Sequence, residues 1–116
     1  LLSREYLEAI HRRHDDLVVR LSFKGHDPES FARLSGVEPE LFQYQLRAVD
    51  ALLDGPVRSS FVLAGVYREE HRDALEEGLS ERAGTRVEIE LEDLRICPAI
   101  VDNCRERGID ISHVLD

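Results

Sequence analysis

LVVRLSFKGHDPESFARLSG, residues 17–36, decides the fold. Leu17, Val19, Leu21 and Phe23 take one side, while Val18, Arg20, Ser22 and Lys24 take the other, the period of a β-strand over LVVRLSF. GHDP then breaks the strand. Asp27 is placed to cap a short helix, PESFARL, whose proline occupies a tolerated first position, and Gly36 closes it. A strand delivered by a sharp turn into a helix is the opening of a βα unit. The stretch also holds the chain's one lysine, Lys24, at the strand's end, in a sequence that otherwise uses arginine for its basic residues.

The same grammar recurs outward. SREYLEAIHRRH, residues 3–14, reads as a leading helix with Ser3 as N-cap and Tyr6, Leu7 and Ile10 inward. PELFQYQLRAVDALLD, residues 39–54, is a longer helix with Leu41, Phe42, Leu46, Val49 and Leu53 at helical spacing, ended by Asp54, Gly55 and Pro56. VRSSFVLAG (57–65) is the second strand, and REEHRDALEEGLSERAG (68–84) a helix burying Leu75 and Leu79 and ending at Gly84. RVEIELEDL (86–94) is the third strand and CPAIVDNCRERG (97–108) the last helix. IDISHVLD (109–116) is a tail expected to add a short fourth strand. Strands alternating with helices predict a single α/β domain over 1–116 with about three βα units, parallel pairing and right-handed crossovers.

The strands are not apolar on both faces, as strands of a fully covered parallel sheet are. Arg20, Ser22 and Lys24, then Arg58 and Ser60, then Glu88, Glu90 and Glu92 fall on one side. Three explanations stand open: the inner wall of an incomplete barrel holding a polar ligand, a surface completed by another chain, or a water-facing surface with Arg20 and Arg58 paired to Glu88 and Glu90.

Composition narrows the function. With 24 Asp and Glu against 15 Lys and Arg, the net charge is −9, which disfavours nucleic acid and anionic membranes as partners. No apolar run nears the roughly 20 residues of a membrane span, and LLSREYLEAI reads as too short and polar for a signal peptide. The acid excess with almost no lysine suits a salt-loving or GC-rich prokaryote. The chain has no methionine, even at position 1, and is expected to be processed, trimmed or cut from something longer. Cys97 and Cys104 read as reduced thiols in a cytoplasmic protein.

SFKGHDPESFARLSGVEPELFQYQLRAVDALLD resembles the middle of radical S-adenosylmethionine enzymes of the pyruvate formate-lyase activating enzyme type. In that family a strand ending in Asp-x-Lys is followed by an acidic residue with Pro-Glu, then Thr-Gly or Ser-Gly before a long helix. Here these are Ser22-Phe23-Lys24, Asp27-Pro28-Glu29 and Ser35-Gly36, and VRSSFVLAG is similar to the family's Arg-bearing strand that ends in a glycine turn. The resemblance covers roughly residues 15–75. It implies a partial, half TIM-like barrel whose inner face binds S-adenosylmethionine, with Lys24 and Arg58 at the cofactor's polar end and Arg20, Ser22 and Ser60 on the same face. A protonated amine or guanidinium suits the cofactor's carboxylate through charge-assisted hydrogen bonds.

The departures are specific. There is no Cys-x3-Cys-x2-Cys loop, and an iron–sulfur cluster of this kind wants at least three thiolates together. Cys97 and Cys104 are separated by six residues, the family's strand-end Asp is Ser22, and Glu92 and Asp93 end the late strand. The barrel's N-terminal strands are missing. The implied protein therefore binds no cluster of its own and is not catalytic alone. It is either a degenerate relative or the cofactor-holding half of a split enzyme, partnered by a separate cluster-bearing chain. The rival expectation is a non-enzymatic module that docks a partner, or a second copy as a homodimer, through its open sheet.

Other residues have plainer readings. Lys24 is otherwise a solvated strand end, Arg58 an ion-pair partner of Glu88 or Glu90, and Ser22 and Ser60 neutral fillers. His11 and His14, with Asp15, stand at metal-ligand spacing on what is more simply a solvated helix face. His26 is a turn residue close to any ligand, Gly25 and Gly65 permit turns, and the two cysteines are small buried hydrophobes. Glu69-Glu70 and Glu76-Glu77 are helix surface. No Gly-rich phosphate loop and no nucleophile with a base at readable spacing is present.

Overall fold

The computed structural model describes residues 3–64, 67–92 and 96–112. The elements are α1 (Arg4–Arg13), β1 (Val18–Lys24), α2 (Pro28–Ser35), a 3-10 turn (Pro39–Leu41), α3 (Phe42–Asp54), β2 (Arg58–Ala64), α4 (Glu69–Ala83), β3 (Ile89–Glu92) and α5 (Pro98–Glu106). The sheet is parallel throughout, in the order β1-β2-β3. The expected α/β class, strand–helix alternation and parallel pairing are thus present.

Local signals set most helix ends. Ser3 Oγ accepts the Tyr6 N–H at 3.1 Å, and Asp27 Oδ1 accepts the Ser30 N–H at 2.8 Å. Gly36 and Gly84 close α2 and α4 in the left-handed conformation, at φ 75° and 70°. Stability comes from one core. Phe31, Phe42, Val49, Leu52, Leu75 and Leu79 of the helices pack with Phe23, Phe61, Leu63 and Ile89 of the strands. The strand members of that core all lie on the apolar side of the alternation, so α1 to α4 gather on a single face of the sheet. Adding each strand beside the last with crossovers of one hand puts their helices on the same side.

Several expectations are corrected. Tyr6 is 56% exposed, not inward, because α1 packs along a narrow stripe centred on the fully buried Leu7. In α3 Leu52 is buried and Leu53 40% exposed; both fit helical spacing from the buried Val49, and packing rather than periodicity chooses between them. The third strand begins at Ile89 rather than Arg86. Ahead of it, the Val87 N–H donates to Ser80 Oγ at 2.9 Å, so α4 holds this backbone before β2 does. The tail shows no strand in residues 109–112, and its last four residues lie outside the described residues, as do Gly65 and Asp93.

On the opposite face, Arg20 and Glu90 form an ion pair at 3.0 Å. The register sets Arg20 beside Ser60 and Glu90 beside Val62, so the pair crosses β2 between those residues. Val62 has no exposure at all, although its side chain points away from the main core.

Candidate functional site

Polar side chains gather where the strands end. In parallel α/β sheets ligands bind at the carboxyl ends of the strands, because the loops there are free to vary while the sheet holds their bases. β1 delivers Lys24, whose backbone is gripped on both sides by one amide: the Lys24 N–H donates to Gln45 Oε1 at 2.8 Å, and Gln45 Nε2 donates to the Lys24 carbonyl at 3.3 Å. No ion pair engages the Lys24 side chain among the described residues. Gly25 then turns the chain so tightly that a Cβ there would lie 2.4 Å from the Phe31 nitrogen.

Past that turn, the His26 and Asp27 N–H groups donate to Ser30 Oγ at 2.9 and 3.2 Å. His26 Nδ1 lies 3.2 Å from the same hydroxyl, and Nε2 lies 3.4 Å from Asp27 Oδ2. The order Ser–His–Asp invites a catalytic reading, but Ser30 Oγ already accepts two backbone donors, which makes it a cap rather than an activated nucleophile. Burial pushes the Asp27 carboxyl up, and the Ser30 hydrogen bonds with the nearby His26 and His71 outweigh it, leaving it below the usual carboxylate range.

The second unit contributes from after β2. Tyr67 Oη donates to the Glu92 carbonyl at 2.9 Å, tying the loop to the end of β3. The Arg68 N–H donates to His71 Nδ1 at 3.1 Å. The ring of His71 stacks on that of His26, with centroids 4.1 Å apart and planes 2° from parallel. Burial, then the neighbouring His26, hold His71 below the ordinary histidine pKa. The chain after α5 closes the far side. Arg68 lies 3.6 Å from Asp110, and Arg107 donates to the Arg33 carbonyl at 2.6 Å. His26, Asp27, Tyr67, Arg68, His71 and Asp110 line a half-open cavity of about 280 Å³, which Lys24 does not line.

The five site residues expected from sequence are only partly assembled. Arg20, Ser22 and Lys24 line up along β1, with Ser60 beside Arg20. Arg58 pairs with Val18 at the opposite end of the sheet from Lys24, which pairs with Ala64. Six residues of strand separate those levels, roughly 20 Å, so Lys24 and Arg58 do not converge on one ligand end. Arg58 also lacks the expected ion pair among the described residues, and Glu88 instead lies 3.6 Å from Arg86. His11 and His14 lie on or at the end of α1. Among the described residues no group of three or more His, Cys, Asp and Glu could hold a metal. Cys97 is exposed at the start of α5, and Cys104 is buried.

Sequence reasoning placed His26 near a site but missed His71, Tyr67, Arg68 and Asp110. Their shared signal is position: Tyr67, Arg68 and His71 follow the end of β2 as His26 follows the end of β1. No family model, no curated protein and no solved structure matches this chain.

Proposed function

We propose that the chain is a ligand-binding α/β domain, built as a half TIM-like barrel wall, that takes S-adenosylmethionine at the carboxyl edge of its sheet and performs no chemistry alone. The observation that carries this reading is Lys24: an exposed cation at a strand's end, its backbone clamped by Gln45, its side chain without an ion pair among the described residues. It fits the cofactor's carboxylate. The one-sided arrangement of helices and the hydrophilic opposite face support a barrel-wall layout. With only Cys97 and Cys104, these residues do not fit a four-iron cluster, so radical chemistry would rest on a separate cluster-bearing chain. Because Arg58 sits at the other end of the sheet, this reading leaves it out of the site.

Calorimetry with S-adenosylmethionine tests the reading. Lys24→Ala is expected to weaken binding at least several-fold, while Arg58→Ala leaves it unchanged. No binding by the wild-type chain, or equal affinity in Lys24→Ala, overturns it.

A further inference from the structure

His26 and His71 belong to different βα units and are distant in sequence, yet their rings lie face to face. Their surroundings are unequal. His26 has the Asp27 carboxylate at 3.4 Å and the Ser30 hydroxyl at 3.2 Å. His71 has its Nδ1 occupied by the Arg68 N–H. The charged groups around the stack come from every element that meets there: Asp27, Glu29 and Arg33 from the α2 side, Arg68 and Glu70 from the α4 side, and Asp110 from the chain after α5. Glu29 is engaged by Arg33 at 3.1 Å, and Asp110 lies 3.6 Å from Arg68. Asp27 is the carboxylate at ion-pair distance from the stack.

We propose that the His26–His71 stack is a one-proton latch between the β1–α2 turn and the first turn of α4, holding with no proton or one and opening when both rings are charged. One imidazolium is tolerated because Asp27 neutralises it and the neutral partner ring offers its π-face. A second places like charges about 4 Å apart, a repulsion that the rings' partial burial strengthens. Opening the latch parts α2 from α4 and reshapes the cavity, while the apolar core behind the sheet is untouched. The device belongs to the ligand-free chain and stands whether or not S-adenosylmethionine binds.

The sign follows from His71. Its folded pKa is lowered, so on acidification the unfolded chain takes the proton first, and stability falls from about pH 6.5 down through the folded value. Acid titration of the imidazole signals by NMR, with melting curves, tests the latch in wild type, His26→Phe and His71→Phe. In His26→Phe, His71 is expected to protonate at higher pH than in wild type. In His71→Phe, whose ring stacks but cannot charge, the fall in Tm from about pH 7.5 to about pH 5.5 is expected to be at least halved. An unmoved His71 midpoint, or an equal Tm loss in His71→Phe and wild type, overturns the proposal. Should His26→Phe fail to fold, the His71→Phe melting curves decide alone.

Discussion

At Gly25 two penalties coincide. Its φ is +78°, a conformation costing other residues roughly 1–2 kcal/mol, and an added Cβ would collide with the backbone of α2 at Phe31 and Ser30. Gly84 has a similar φ of +70° but nothing within 4 Å of its would-be Cβ. Gly25→Ala is therefore expected to destabilise clearly more than Gly84→Ala, by about 2 kcal/mol or more in total, as read in urea melts; equal losses would show that the turn can relax. Residues of this kind were legible in the sequence, because caps and turns act on near neighbours. Ser3, Asp27, Gly36 and Gly84 stand where their chemistry placed them. The ring stack was not legible, since nothing local to His26 announces a partner in a later helix.

Between elements, one ion pair joins α3 to α4. Arg82 grips Asp50 with three contacts, at 2.7, 2.9 and 3.2 Å, and this holds the Asp50 carboxyl below its usual pKa, Arg82's hydrogen bonds outweighing burial. Both side chains are partly open to water, so the pair is worth about 0.2–1 kcal/mol. Its contribution is full above the unfolded carboxylate value and is lost as pH falls through the lower folded one. Asp50→Asn is thus expected to cost that amount near neutral pH, with the difference from wild type vanishing in strong acid; a difference that persists there would point to packing rather than charge. Strand alternation revealed the apolar and polar faces. The burial of Leu52 rather than Leu53 in α3, and the late start of β3, depend on packing partners that periodicity does not record.

Across the whole molecule, folding rests on a single apolar layer. Phe23, Phe31 and Phe42 form its aromatic centre, with ring centroids 6.4 and 5.9 Å apart. Removing the fully buried Phe23 side chain is expected to cost about 3–5 kcal/mol, a large share of the roughly 5–15 kcal/mol that holds a typical domain together. Chemical denaturation of Phe23→Ala measures it, and a loss below about 1 kcal/mol would mean the layer is less cooperative than its burial implies. The fold class was readable because it follows from alternation repeated along the chain. The cavity was not, because it is assembled from ends of elements and from the chain beyond α5. One last consequence follows from the helix side chains that bind strand backbone. Gln45 holds both main-chain groups of Lys24 on β1, and on the β3 side Ser80 holds Val87 while Glu76 takes the Ile89 N–H at 2.7 Å. Lys24 and Ile89 sit on the two outermost strands among the described residues, and Val87 just ahead of the second, where a bare border would template pairing with another chain. The protein carries its own selvedge, stitched from an amide, a hydroxyl and a carboxylate, and fraying it would leave those backbone groups open to another strand.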